Sequence, residues 1–312
     1  MHGHMYHHFH DGERHRPSQG SIDAATFESV LREVRKTHEI LSPADFAEAL
    51  SGNSTDPRLT CLTFDDALRA QHDIAAPIMA DMGVTGFFFV YTSVLGDDPD
   101  PLEFYRDFRH EYFDSIDDFY ASFFEFARTQ EPAAYADYLS DFPPDYLTQF
   151  SFYTELDRRF RYFRDVSAGP VRYTALMDAM MAARGYDRMV RQRDLFMDSD
   201  HLRALAEAGH EIGLHSHSHP TAIDTLPIDE QRHEYLRNKQ LLEDVVGRPV
   251  WSMSHPCGRY GAETLAVLEK MGVTLGFRSS LAIPEIRSPL EVPRENHVNL
   301  IKSLTGVRSG VQ

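Results

Sequence analysis

Cysteine is nearly missing from this 312-residue chain: Cys61 and Cys257 stand far apart and form neither a disulfide framework nor a CxxC metal clip. Basic charge is scarce too, with 31 Lys+Arg against 48 Asp+Glu and a formal net charge of -17. Such a surface repels a phosphate backbone, which excludes nucleic acid and anionic lipid as expected partners. No run of about 18 apolar residues occurs, so no membrane insertion is expected. The opening MHGHMYHHFHDGERH has no apolar core of signal-peptide length. Together these absences predict a soluble cytoplasmic protein. Lysine is wholly absent from residues 96–200, a stretch rich in Phe, Tyr and Asp.

What is present suits a globular chain with a large core: 42% hydrophobic and 25% charged residues. The opening histidines, His2, His4, His7, His8, His10 and His15, are interrupted by Met5, Tyr6 and Phe9. That spacing differs from a purification tag, and Tyr6 and Phe9 read as core.

Hydrophobic periodicity sets out the organisation. Residues 23–37 place Phe27, Val30, Leu31 and Val34 at helical spacing. LTCLTF (59–64) is a buried strand that ends abruptly on Asp65 and Asp66. A helix follows through Ile74, Ile78, Met79 and Met82 to Gly83, and VTGFFFVYT is a second strand. The same grammar returns with a helix over 202–208, the strand HEIGLH, a helix over 229–246, the strand PVWSMSHP, a helix over 263–271 and VTLGF. Strand, helix and strand with glycine stops imply parallel βαβ units, hence a barrel or an open α/β sheet. Between the two halves, residues 96–200 carry Phe and Tyr at helical spacings broken by Pro132, Pro143, Pro144 and Pro170. This predicts a helical insertion whose aromatic stripes pack on themselves and on the barrel, with some rings available to a sugar.

The chemistry lies at strand ends, where parallel α/β folds gather catalytic groups. Asp65 and Asp66 form one such pair. His215, His217 and His219 alternate directly after HEIGL, and imidazole with carboxylate suits Zn²⁺ and similar divalent ions. Two histidines and one aspartate leave positions open for water and substrate, as in a catalytic site. Spacing alone leaves open which two histidines coordinate.

The ordered set LTFDD, GHEIGLHSHSHP and SHPCGRYG resembles the polysaccharide deacetylase family, carbohydrate esterase family four, and most of all its bacterial surface-polysaccharide biosynthesis branch. The resemblance implies a distorted (β/α) barrel of about seven parallel strands spanning 1–312 as a single domain, with a large aromatic-rich helical insertion over 96–200. It implies Asp65 as general base and Asp66, His215 and His219 as metal ligands, with His217 a neighbour. It places the oxyanion donor on the backbone N–H of Cys257, with Arg294 orienting Asp65 and His297, in PRENHVNL, protonating the leaving amine. His255 and His8 are rival acids. Two departures stand out: Ser254 replaces an arginine that many members carry, and the family's fourth motif is not evident.

The implied activity is metal-dependent hydrolysis of an N-acetyl or N-formyl group on an amino sugar of a saccharide or surface-polysaccharide precursor. The expected cofactor is a divalent ion, Zn²⁺ first, with Co²⁺, Ni²⁺ or Mn²⁺ as alternatives. The expected partner is the carbohydrate substrate. Two other readings share the residues: an amidohydrolase that opens cyclic ureides or imides, and a non-catalytic carbohydrate-binding protein.

Overall fold

The computed structural model describes residues 1–96, 99–148 and 153–305. These fall into two compact units, one formed by residues 1–100 with 192–305 and the other by 101–191.

The first unit begins with β1 (His2–Tyr6), α1 (Ala24–Val34), β2 (Glu39–Ile40), α2 (Pro43–Ser51) and β3 (Leu59–Phe64). A π-helical turn over Gln71–Ala75 leads into α3 (Ala76–Asp81) and then β4 (Gly86–Val90). The second unit carries α4 (Leu102–Glu111), α5 (Ile116–Gln130), α6 (Pro132–Asp141), α7 (Glu155–Tyr162) and α8 (Gly169–Ala183). The chain continues through α9 (Arg188–Leu195), α10 (Ser199–Glu207), β5 (Glu211–Leu214), α11 (Ile228–Val246), β6 (Ser252–Ser254) and α12 (Ala262–Lys270). It ends with β7 (Leu275–Phe277), β8 (Arg294–Asn296) and α13 (His297–Thr305).

All strand pairs are parallel, in the order β7-β6-β5-β4-β3-β1-β8, with β2 added beside β3. The segment leading into β8 nearly closes the ring, because Arg278 N–H donates to Val292 O at 2.8 Å and Gly3 N–H to Pro293 O at 2.9 Å. The result is a nearly closed, distorted (β/α) barrel of seven parallel strands with a helical insertion between β4 and β5, as the resemblance implies.

The barrel interior is layered. Phe46, Cys61, Phe87, Phe89, Leu275, Phe277 and Val292 form an apolar cluster that excludes water. The Arg294 guanidinium lies 5.9 Å from the centres of the Phe89 and Phe277 rings, so polar groups begin where this cluster stops. Gly213 on β5 makes room for the packing: a Cβ there would sit 2.6 Å from Phe89 ring carbons and from Ser252 Oγ. On the outside, Asp23 caps α1, accepting from Thr26 N–H at 2.7 Å, and Phe27, Val30, Leu31 and Val34 are buried. Tyr6 and Phe9 are core residues, packed edge-on against Phe27.

The helical unit packs its aromatic stripes on themselves. Phe119, Phe123 and Phe160 are buried with centroids 5.0–5.8 Å apart. Phe124 and Tyr138 stack at 5.1 Å.

Candidate active site and metal centre

Three loops at the carboxyl ends of β3, β5 and β6 carry the site, and their backbone is strained. Of seven described non-glycine residues with positive φ, five lie here: Asp66 (77°), Ala67 (54°), Ser216 (61°), His219 (55°) and Cys257 (53°). Such conformations persist where surrounding structure over-determines them, and they concentrate at functional sites. The loop after β5 is tied down by Glu234, whose carboxylate accepts from His217 N–H at 3.0 Å, Ser218 N–H at 2.7 Å and Ser218 Oγ at 2.9 Å.

Asp66 Oδ1 lies 3.3 Å from His215 Nε2 and 3.6 Å from His219 Nε2. Ligands held about 2.0–2.2 Å from a tetrahedral ion are separated by roughly 3.3–3.6 Å, so both of these spacings are those of ligands sharing one ion, and the three donor atoms lie within 4.8 Å of one another. His215 Nδ1 donates to Ser254 O at 2.8 Å, which leaves the Nε2 lone pair facing Asp66. The backbone of His215 is fixed by its N–H donating to Asn238 Oδ1 at 3.0 Å, while Asn238 Nδ2 donates to Val90 O at 2.9 Å. One oxygen and two imidazole nitrogens with this outer support fit a divalent ion of the Zn²⁺ class. His217 is not in this set; its Nδ1 pairs with Thr92 Oγ1 at 2.9 Å.

Asp65 is almost fully buried and takes no part in that triad. Both its oxygens accept from Arg294, each at 2.7 Å, and Ser254 Oγ donates to Oδ2 at 3.1 Å while accepting from Arg294 Nη2 at 2.8 Å. Arg294 is itself fully buried and also donates to Arg278 O at 2.7 Å. The guanidinium therefore reaches Asp65 from β8, and the small Ser254 leaves room for it. Burial opposes ionisation of Asp65, but the Arg294 charge and then His215 outweigh it and hold the carboxyl below its ordinary value. Asp66 is likewise held well below: the His215 hydrogen bond and the charges of His7 and His219 overcome burial. In the metal-free site, burial pushes the His215 imidazole down, yet Asp65 and Asp66 prevail and raise it.

Of the remaining sequence-derived candidates, Cys257 stays at the site mouth, whereas the rings of His297 and His255 are engaged elsewhere. His297 donates Nε2 to Gly20 O at 2.8 Å and stacks on Tyr6 at 5.5 Å, and burial lowers its pKa to about 4. His255 donates Nε2 to Leu290 O at 2.9 Å, stacks on Tyr260 at 4.1 Å, and is lowered by burial to about 3. Cys257 follows Pro256 in the loop after β6; desolvation and then the charges of Asp66, Asp100 and Asp65 push its thiol up to about 11, so it is protonated at neutral pH. The His8 ring stacks on His7 with centroids 6.1 Å apart.

His7 is the residue that sequence reading missed. Its Nε2 sits 3.9 Å from Asp65 Oδ2 and 3.8 Å from Asp66 Oδ2. Burial is the main influence on the ring and lowers its pKa despite the two aspartates. His7 directly follows β1 (His2–Tyr6), whose HGHMY sequence has no apolar run to mark it as a strand, so no hydrophobic signal pointed to it.

Residues 177–276 match the family described as polysaccharide deacetylase. No curated protein matches the chain. Among solved structures the chain is similar to IcaB from Ammonifex degensii, with 13% identity, a TM-score of 0.58, and coverage of 97% of this chain and 94% of that one. It is similar to a de-N-acetylase from Aggregatibacter actinomycetemcomitans, with 14% identity, a TM-score of 0.55, and coverage of 97% and 98%. The Streptococcus pyogenes deacetylase PplD, solved in complex with acetate, shares 15% identity at a TM-score of 0.55, over 95% of this chain and 91% of that one. Likeness at such identities concerns the fold. The ordered motifs, the match of residues 177–276 to the polysaccharide deacetylase family and the barrel fold shared with these solved structures point the same way.

Proposed function

We propose that the protein is a divalent-metal-dependent hydrolase that removes an N-acetyl or N-formyl group from an amino sugar in a saccharide or surface-polysaccharide precursor. The observation that carries this reading is an ionised carboxylate, Asp65, locked by Arg294 beside the Asp66–His215–His219 triad. A divalent ion held by that triad, Zn²⁺ best suiting its donors, supplies Lewis acidity toward an amide carbonyl and lowers the pKa of water.

The protein's own groups do the rest. Asp65 accepts a proton from the water that attacks the acyl carbon, and the Arg294 fork fixes the carboxylate's direction without removing its charge. The backbone N–H of Cys257 is assigned as donor to the developing oxyanion. Collapse of the tetrahedral adduct breaks the C–N bond and requires a proton on nitrogen. His7, within 4 Å of Asp65, is placed to pass on the proton that Asp65 gained, so none is consumed in releasing amine and carboxylic acid. The contacts of His297 with Gly20 and Tyr6 favour a packing role for that ring.

The test is acetate release from N-acetylglucosamine oligomers by protein reconstituted with Zn²⁺ or Co²⁺. Turnover that disappears with chelator and returns with metal is the expected result. Metal-loaded protein that opens cyclic imides and releases no acetate, or that binds saccharide without turnover, would overturn the proposal.

A further inference from the structure

A second set of metal-ligating side chains lies outside the site described above. The π-helical turn after β3 presents His72 and Asp73, α10 brings His201, and the N-terminal segment brings His15. One donor atom from each of His72, Asp73 and His201 lies within 4.8 Å of the others. His72 Nδ1 is 2.9 Å from Asp73 Oδ1, His15 Nε2 is 3.0 Å from Asp73 Oδ2, and the rings of His72 and His201 meet edge-on with centroids 4.5 Å apart.

We infer that His72, Asp73 and His201, with His15 hydrogen-bonded to Asp73, form a second divalent-cation site, of the class that takes Zn²⁺, Ni²⁺ or Cu²⁺. Three observations support it. The donor set repeats that of the Asp66 triad, one carboxylate with imidazoles, so the same borderline ions suit it. Asp73 already has an outer partner, since Arg69 Nε donates to Oδ2 at 3.1 Å, an arrangement that orients ligating carboxylates. His201 Nδ1 lies 2.7 Å from Asp198 Oδ1 at the α10 N-cap, and a proton on Nδ1 donated to that carboxylate leaves the Nε2 lone pair for a ligand.

The two sites differ in place. The Asp66 triad lies beside the ionised Asp65, whereas the second set joins the turn after β3 to α10, with the N-terminal segment held to Asp73 through His15. An ion held there ties the turn after β3 to α10, so it acts on stability and not on turnover.

The experiment uses the full chain stripped with chelator, dialysed against Zn²⁺ and assayed for bound metal by elemental analysis. Wild type should hold about two equivalents and the His72→Ala/His201→Ala variant about one, with acetate release per filled Asp66 site retained. The His215→Ala/His219→Ala variant should also hold about one equivalent, and with Co²⁺ it should show visible d–d bands that vanish when His72 and His201 are replaced as well. Asp73→Asn, which keeps the size of the side chain, covers the case in which the alanine variant fails to fold; it should weaken the second equivalent by about 10-fold or more. A wild-type stoichiometry of one, or two equivalents retained by His72→Ala/His201→Ala or at undiminished affinity by Asp73→Asn, overturns the inference. Failure of acetate release in every sample would count against the proposed function alone.

Discussion

The barrel unit and the helical unit bury different things. Among the described residues, every buried polar or charged residue belongs to the barrel unit, from Thr63 and Asp65 through His215 and Ser254 to Arg294. The helical unit buries Phe, Tyr, Met, Leu and Ala. Its phenol groups reach the unit's own carboxylates: Tyr105 donates to Asp178 at 2.9 Å, Tyr120 to Asp157 at 2.6 Å and Tyr186 to Asp107 at 2.6 Å. Buried polar groups are costly unless fully paired, so a fold that gathers them in one place is maintaining a chemical environment. In the helical unit the buried polar groups are chiefly tyrosine hydroxyls paired with carboxylates, while its aromatic rings contribute area and edge-to-face packing. Substitutions at the barrel mouth should therefore cost turnover, and those in the helical core should cost stability.

The sharpest way to break this contrast is Asp65→Asn. The amide oxygen can still accept from Arg294, but it cannot take a proton from water. Turnover should fall by about 10⁴-fold while bound metal is unchanged, since the base and the ligands are different residues. Residual activity near wild type would remove Asp65 from the role of base. His7→Gln should follow with a loss of about 10²–10³-fold in kcat, again with full metal content. If His297→Gln had the larger effect instead, the proton would travel on the other side of β1.

Much of this was legible in the sequence because parallel strands announce themselves. LTCLTF, GFFFV and EIGL are buried runs with glycine stops nearby, and their ends carry Asp65, Asp66, His215 and His219. The bidentate Arg294–Asp65 pair also followed from the expected orienting role. Other parts were hidden for physical reasons. β1 lies centrally in the barrel yet reads HGHMY, since its outer face packs His2 and His4 against His38, and no apolar run marks it. β8 is REN, a strand whose inward residue is a charged group serving the site, the opposite of a hydrophobic signal. The expected helix through Ile74 begins as a π-helical turn, a local departure that hydrophobic periodicity does not register.

In the helical unit the largest test is Phe123→Ala. Phe123 is fully buried among Phe119, Phe160, Phe163 and Tyr173. Its removal should cost about 3–5 kcal/mol, seen as a lower midpoint in thermal or urea unfolding, with kcat of the remaining folded protein unchanged. A loss of turnover without a loss of stability would make the helical unit part of the chemistry.

The acid limb of stability sharpens the contrast from the barrel side. The folded pKa of Asp65 lies below its ordinary value of 3.8, so ionised Asp65 contributes stability at every pH above that value. The contribution is lost as pH falls through the lower, folded pKa. Metal-free wild type should therefore exceed Asp65→Asn in stability above about pH 4, with the gap closing on further acidification. Urea unfolding at a series of pH values measures it, and a gap that widens in acid would contradict the assigned ion pair.

The smallest effect belongs to the start of α7. Thr154 Oγ1 accepts from Asp157 N–H at 3.1 Å, and Asp157 Oδ2 accepts from Thr154 N–H at 3.0 Å, a reciprocal cap exposed to water. Thr154→Ala removes one half of it and should cost about 1 kcal/mol. Asp157→Ala removes the other half and also strips the Tyr120 hydroxyl of its acceptor, so it should cost more than Thr154→Ala although the two side chains belong to one cap. Equal losses would mean that the tyrosine–carboxylate pairs of the helical unit contribute nothing, and that its stability rests on ring packing alone.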